Sequence, residues 1–267
     1  MLKTRKDDIM DFSNENIIHV KDGDTEYIQF RRLLEYKDKL VHAYSLKPLD
    51  FRNKFKDDVN YVKICQSLGL NNDNIIKPIQ THTNNVDIVL EDSKIEDFQD
   101  VDGLVTNIKN KVLSAVFADC NSLLLYDPIK NVIGNIHSGW RGTVGKIGEV
   151  AINKMVNTYG CSPSDIICCI GPSIRQCHFE VEDDVRIQFY DAFQDESIVK
   201  LGEIKNGKQK YYIDSIKAII GMLIECGLQP NNIIDCGICT LCNKDYFHSY
   251  RDAKDNSGRN ASIMCLI

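Results

Sequence analysis

At 267 residues and 43% apolar content, the chain has material for one large domain or two small ones. Its net charge of -6, mixed along the chain, argues against nucleic-acid and membrane-surface partners. The charged start Met1–Asp8 carries no apolar signal core, and no apolar run reaches the roughly 18 residues of a membrane span. A cytoplasmic protein is expected, with its eleven cysteines as reduced thiols rather than a disulfide framework.

Residues 1–25 are polar and read as a partly irregular N-terminal segment ahead of a single catalytic domain over 26–267. Tyr27–Phe30 and Leu40–Ser45 have strand character, and Leu46–Asn53 reads as a loop around Pro48. Val59–Leu68 has helical spacing with Gly69 as its stop. Ile75-Ile76 and Ile79, then Val86–Leu90, suggest strands flanking the polar stretch Gln80–Asn85. Asp102-Gly103 reads as a turn entering Leu104-Val105. Val112–Phe117, Leu123–Tyr126 and Val132–Ile136 are apolar runs of strand length, and Val144–Tyr159 is one amphipathic helix ending at Gly160. Strand Asp165–Ile170, helix Glu182–Phe193, strand Lys210–Ile213 and an Asp214-capped helix to Glu225 follow. Ile233-Ile234 and Ser262–Ile267 close the series as strands. Strands and helices interleave without strict alternation, repeat or low-complexity linker, which predicts one mixed α/β (α+β) domain.

Polar clusters at the ends of buried strands are where such folds place chemistry. Ala118-Asp119-Cys120 follows the run Val112–Phe117, and His137-Ser-Gly-Trp-Arg-Gly142 follows Val132–Ile136. His82 sits in the loop Gln80–Asn85, whereas His42 lies inside an apolar run and reads as a core residue. His82, Cys120 and His137 supply three N/S donors, the number that catalytic zinc uses while keeping one position open. The same atoms allow a metal-free pair in which Cys120 is a nucleophile activated by His82 or His137. Spacing alone leaves both open, beside the plain reading of unrelated polar residues at strand ends. Arg141 and the Gly142-Thr143 helix start are anion-binding candidates, and His248–Arg251 and Ser257–Arg259 are polar stretches that can close the same pocket. Asp119 is the titratable neighbour of Cys120, although strand alternation would aim it at the opposite face. Cys236-x-x-Cys239-x-x-Cys242 lacks the second pair of a zinc ribbon and the fourth cysteine of a ferredoxin run. Those cysteines read as structural, and serine at Cys236 and Cys242 is expected to leave metal content unchanged.

Taken together, the motifs resemble the laccase-domain, or YfiH-like, family historically labelled polyphenol oxidases. The resemblance covers about residues 35–267 in order. It is carried by Gln80-Thr-His82, Asp102-Gly-Leu-Val-Thr106, Ala118-Asp-Cys120, His137-Ser-Gly-Trp-Arg-Gly142, Ile170-Gly-Pro-Ser-Ile174, Phe179-Glu-Val181, Cys239-Thr240, Ser249-Tyr-Arg251 and Gly258-Arg259. It implies a four-layer α/β/β/α fold with mixed sheets. It also implies one Zn2+ held by His82, Cys120 and His137. The implied chemistry is phosphorolysis of adenosine, inosine, guanosine and methylthioadenosine, a glycosyl transfer to phosphate, together with hydrolytic deamination of adenosine. One departure concerns the phosphate. The family usually carries a Ser-Thr-Arg-x-Gly-Gly loop after its early strand, and here that place reads Tyr44-Ser-Leu-Lys-Pro-Leu49. Lys47 keeps a charge without the bidentate fork, so Lys47, Arg52 and Arg141 are the candidate phosphate cations. The oxidase label meets a separate difficulty. Multicopper oxidases use paired His-x-His motifs, and none occurs among His19, His42, His82, His137, His178 and His248.

Overall fold

The computed structural model describes residues 10–52 and 58–267; positions 1–9 of the expected N-terminal segment, and Asn53, the last residue of the expected loop Leu46–Asn53, lie outside them. Two six-stranded mixed sheets face one another. The first runs in the order β1 (Ile17–Asp22), β2 (Thr25–Phe30), β3 (Leu40–Ser45), β15 (Asn260–Leu266), β7 (Val112–Phe117), β4 (Ile75–Ile76). The second runs β14 (Ile233–Asp235), β10 (Ile167–Ile170), β8 (Asn121–Asp127), β9 (Val132–Ser138), β6 (Gly103–Thr106), β5 (Val86–Ile88). Pairing is antiparallel except β4 on β7, β10 on β14 and β5 on β6.

The central strands β8, β9 and β15 are buried along their whole length. Their near-continuous apolar runs follow from cover on both faces, where alternation with polar residues would strand a polar side chain in the core. Between the sheets pack Phe30, Tyr44, Leu113, Phe117 and Met264 from one side and Leu104, Leu124, Tyr126 and Ile133 from the other. The helix α2 (Val59–Leu68) covers the outer face of the first sheet through Tyr61, Ile64 and Cys65. Its N-cap Asp58 accepts from the Asn60 N–H, and its stop Gly69 is left-handed at φ 68°. The helices α4 (Ile147–Tyr159) and α6 (Ser215–Glu225) cover the outer face of the second sheet with Ile147, Ala151, Met155, Ile219 and Met222. The result is the expected α/β/β/α layering. A small sheet, β11 (Glu180–Val181), β13 (Lys208–Ile213) and β12 (Val199–Lys205), packs with α5 (Asp183–Phe193) at the edge. The remaining helices are short: α1 (Arg31–Leu34), α3 (Trp140–Val144) and α7 (Tyr250–Ala253).

Within the partly irregular stretch up to residue 25, Ile17–Asp22 forms a strand that pairs antiparallel with β2 around a turn at Gly23, φ 57°. One expectation changes. The single helix expected over Val144–Tyr159 is two helices. Lys146 is left-handed at φ 54°, and the Gly145 carbonyl accepts from Asn84 Nδ2 at 2.8 Å instead of continuing the helical ladder.

Candidate active site

Register brings the predicted residues to one end of the second sheet. In the β8–β9 pair Asn121 faces Ser138 and Ser122 faces His137, so the residue entering β8, Cys120, lies beside the end of β9. In the β6–β9 pair Gly103 faces Ile136, which sets Asp102 against His137, and the His137 N–H donates to the Asp102 carbonyl at 2.7 Å. Because β5 runs parallel to β6, the loop entering β5, with His82, opens at that same end. Cys120 itself stands on the Ala118–Cys120 turn that carries the chain from β7 in one sheet to β8 in the other, with Asp119 left-handed at φ 83°.

The donor atoms of His82, Cys120 and His137 lie within 4.8 Å of one another. Cys120 Sγ is 3.8 Å from His82 Nε2. The two imidazole rings meet edge to face at 5.0 Å between centroids. His137 is buried and its Nδ1 is bonded to Asp102 Oδ1 at 2.7 Å, which leaves Nε2 as its free donor. That is the carboxylate–histidine arrangement that fixes a metal ligand. Gly139 frames the cluster: a Cβ there would stand 2.7 Å from His82 Cδ2 and 3.5 Å from Cys120 Sγ. The three residues also line a cavity, so a metal ion held by them would face open space. Gly139→Ala is therefore expected to push His82 aside and weaken metal binding at the cluster by about 10- to 100-fold, the scale of changes just outside a metal's ligands. Competition against a chelator measures this, and unchanged affinity would show that the close approach of Gly139 is irrelevant to the cluster.

Asp102 is the residue that sequence reading missed. It reads as a turn residue, yet it is fully buried and its carboxylate gathers five donors. These are the N–H groups of Thr81, His82 and Thr83 at 3.2, 3.1 and 2.7 Å, the Thr83 hydroxyl at 2.9 Å and His137 Nδ1. The bonds hold His82 in a left-handed conformation, φ 65°, uncommon for a side-chain-bearing residue. Gln80 pins the same loop to β7, bonding both the N–H and the carbonyl of Val116 at 2.9 Å. Burial works against the Asp102 carboxylate, but the His137 bond and charge and the Thr83 bonds hold it down at about 2. Burial likewise opposes charge on Cys120 and His137. Their mutual attraction outweighs it, bringing the thiol to about 6 and, with the Asp102 bond, raising the imidazole to about 9.

The cluster opens into a cavity of about 1160 Å³. Arg141, Lys210, Arg251, Lys254 and Arg259 reach its wall, as do Trp140, Phe179 and Tyr250. Arg141 stacks on Trp140, its guanidinium carbon 4.3 Å from the ring centroid. The stretches His248–Arg251 and Ser257–Arg259 do contribute to this cavity, through Tyr250, Arg251 and Arg259. Lys47 and Arg52 do not line it. Lys47 Nζ donates to the Lys244 carbonyl at 2.6 Å, and Arg52 pairs with Asp50 at 2.8 Å. Each of these two candidate phosphate cations thus has a partner outside the cavity. Asp119 touches the cavity, but its carboxylate accepts from Thr240 Oγ1 at 2.6 Å, Ser249 Oγ at 3.0 Å and the Arg251 N–H at 2.7 Å. With both oxygens bound it anchors the Cys120 turn to residues 240–251.

Residues 51–267 match the family described as multi-copper polyphenol oxidoreductase laccase. The chain is 33% identical over 193 residues to purine nucleoside phosphorylase YlmD of Bacillus subtilis (strain 168), across 69% of this chain and 68% of that one. It is 31% identical over 203 residues to adenosine deaminase RL5 of an unknown prokaryotic organism, across 73% of this chain and 76% of that one. The crystal structure of Bacillus licheniformis hypothetical protein YfiH has the same fold, with a TM-score of 0.83 at 22% identity over 93% of this chain and 99% of that one.

Proposed function

The chain belongs to the multi-copper polyphenol oxidoreductase laccase family, and we propose that it is a zinc-dependent purine nucleoside phosphorylase that also deaminates adenosine. Adenosine, inosine and guanosine with phosphate would give base and ribose 1-phosphate, and methylthioadenosine would give adenine and methylthioribose 1-phosphate. The reading is carried by three zinc-type donors, His82, Cys120 and His137, on the wall of a cavity edged with cations and aromatic rings. Zinc in such a site supplies Lewis-acid polarisation of an oxygen and lowers the pKa of water. The donors suit it: a thiol already biased toward thiolate, and an imidazole oriented by a carboxylate. Despite the family's copper description, this chain has no His-x-His pair to assemble a multicopper centre.

The chain's own residues then divide the work. Trp140, Phe179 and Tyr250 offer apolar faces to a purine. Arg141, its plane fixed against Trp140, meets the phosphate charge with a bidentate fork that Lys47 does not place in the cavity. Asp102 holds His82 and His137 in position from behind. The direct test is incubation of the zinc-loaded protein with adenosine and phosphate, followed by separation of adenine, inosine and hypoxanthine. Absence of all three products would end this reading.

Arg141→Ala should depress phosphorolysis more than deamination, because only phosphorolysis uses phosphate. A preorganised charged donor is worth about 2–4 kcal/mol in the transition state, so the expected loss is about 30- to 1000-fold. Both activities are measured on the one variant, with Lys47→Ala and Arg52→Ala as controls that leave the ratio unchanged. Equal losses would assign Arg141 to the shared purine site or the fold. One observation favours a second reading, a metal-free Cys/His hydrolase or transferase: Cys120 and His137 are already biased toward a thiolate–imidazolium pair. Activity that survives chelation would select it, whereas zinc binding without turnover would select a binding protein.

A further inference from the structure

A second cluster lies away from His82, Cys120 and His137. Cys177, His178, Cys239 and Cys242 bring one donor atom each within 4.8 Å of the others. Cys177 Sγ is 3.8 Å from Cys242 Sγ. His178 Nδ1 is 3.2 Å from Cys177 Sγ, 3.7 Å from Cys239 Sγ and 3.4 Å from Cys242 Sγ. A tetrahedral zinc with bonds of about 2.3 Å to sulfur and 2.0–2.1 Å to nitrogen places its sulfurs about 3.8 Å apart and sulfur about 3.6 Å from nitrogen. The Cys177–Cys242 and His178–Cys239 separations fall within about 0.1 Å of those values, and His178 Nδ1 stands closer to Cys242 and Cys177, by about 0.2 and 0.4 Å. A disulfide needs its sulfurs at about 2.05 Å, and all eleven cysteines are free.

We propose that Cys177, His178, Cys239 and Cys242 form a second zinc site, closed by four protein ligands and therefore structural rather than catalytic. The backbone holds its two halves ready. Ser173 and Cys239 form a parallel bridge, the Ser173 N–H donates to the Ile238 carbonyl at 3.3 Å, and the Thr240 N–H donates to the Ser173 carbonyl at 3.0 Å. Cys236 takes no part: it is buried and its sulfur contacts Arg175 Nη2 and the Ile238 N–H at 3.5 Å. The Cys-x-x-Cys-x-x-Cys stretch therefore splits. Its last two members meet an adjacent Cys-His pair 61 residues earlier, counting 239 − 178, which replaces the expectation that all three cysteines are merely structural.

The clip would fasten two segments that shape the cavity. His178 precedes Phe179 and Glu180 on the cavity wall, and its carbonyl accepts from Arg251 Nη1 at 3.1 Å. Thr240, between the two cysteines, carries the hydroxyl that binds Asp119. Loss of the metal would loosen the wall and the anchor of the Cys120 turn together.

The test is zinc stoichiometry by elemental analysis of full-length protein purified reduced and zinc-replete. Wild type should hold two zinc ions per chain, Cys120→Ala one, Cys177→Ser/Cys242→Ser one, and the combined variant none. One zinc in wild type, lost in Cys120→Ala but kept in Cys177→Ser/Cys242→Ser, would overturn the proposal. One zinc in wild type, kept in Cys120→Ala but lost in Cys177→Ser/Cys242→Ser, would support it and instead defeat the zinc reading of His82, Cys120 and His137. Should the double variant not fold, cobalt exchange into Cys120→Ala decides. A tetrahedral spectrum with intense thiolate-to-cobalt charge transfer supports the site. Absence of that band, or a Cys177–Cys242 disulfide in freshly purified protein, overturns it.

Discussion

Cys120→Ala is expected to lower adenosine phosphorolysis and adenosine deamination together, each by about 1000-fold, and to remove one zinc ion per chain. The magnitude follows from the several kcal/mol of charge stabilisation that a catalytic metal supplies; about 4 kcal/mol corresponds to about 1000-fold. Cys120 is the only sulfur donor of the three and the only one that brings negative charge. Without it, His82 and His137 remain as two neutral donors, too few for a three-ligand site. Zinc content and both rates are read on the same preparation. If both rates stay within a few-fold of wild type, neither zinc at these residues nor a Cys120 nucleophile accounts for the activity.

The metal and nucleophile readings part in two further measurements. Chelation should abolish both activities, and added zinc should restore them. In the chelated protein, alkylation of Cys120 by iodoacetamide, followed by peptide mapping, should rise through a midpoint near pH 6, because burial is outweighed by the His137 charge and by bonds from His137 and His82. The signs are opposite for the two partners. The depressed thiol contributes stability that is complete above its ordinary 9.0 and lost as pH falls through about 6. The raised imidazole contributes stability that is complete below its ordinary 6.5 and lost as pH rises through about 9. The ion pair is thus populated between about 6 and about 9. An alkylation midpoint near 9 would mean that the pair does not form.

Much of the site was legible because it hangs on apolar strands. Val112–Phe117, Leu123–Tyr126 and Val132–Ile136 announce themselves by β-branched and aliphatic runs, and the polar residues after them mark strand ends. Cys120 and His137 stand at two of those ends, and His82 was marked by its polar loop Gln80–Asn85. Asp102 was hidden because an Asp-Gly dipeptide entering a strand has the signature of an ordinary turn; only the fold shows five donors closing on a buried carboxylate. For Lys47 and Arg52, nearness in sequence to a functional loop says nothing of where a long flexible side chain ends. Both close on partners of their own, Lys244 and Asp50. Cys177-His178 went unnoticed because an adjacent pair is no motif by itself. The unmatched Cys239-x-x-Cys242 half was the available signal, and it called for a search of the whole chain for two more donors. β1 was passed over because Lys21, Asp22 and Asp24 around Gly23 obscured the hairpin that Ile17, Ile18 and Val20 begin.

Asp102→Asn should disable the site without touching a ligand. Asp102 Oδ1 accepts from the His82 N–H and His137 Nδ1, and Oδ2 accepts from the Thr81 and Thr83 N–H groups and the Thr83 hydroxyl. An asparagine amide replaces one of these oxygens with a second set of donors. In one orientation its NH2 faces His82 and His137; in the other it faces Thr81 and Thr83. Each buried donor left unpaired costs about 1–3 kcal/mol, so the 81–83 loop or the His137 ring must move. Loss of such a supporting carboxylate lowers metal affinity or activity by about 10- to 100-fold. Here it supports two of the three donors, so at least 100-fold is expected for zinc affinity, with phosphorolysis and deamination falling in parallel. Stability carries an independent signature. The Asp102 pKa is about 2 against an ordinary 3.8, a contribution of about 2 kcal/mol that is present above 3.8 and lost as pH falls through about 2. The gap in urea midpoint between wild type and Asp102→Asn should therefore be widest near neutrality and shrink on acidification from about pH 4 to about pH 2. Zinc affinity equal to wild type, or a midpoint gap that stays constant down to the acid limit, would show that the carboxylate does not organise His82 and His137.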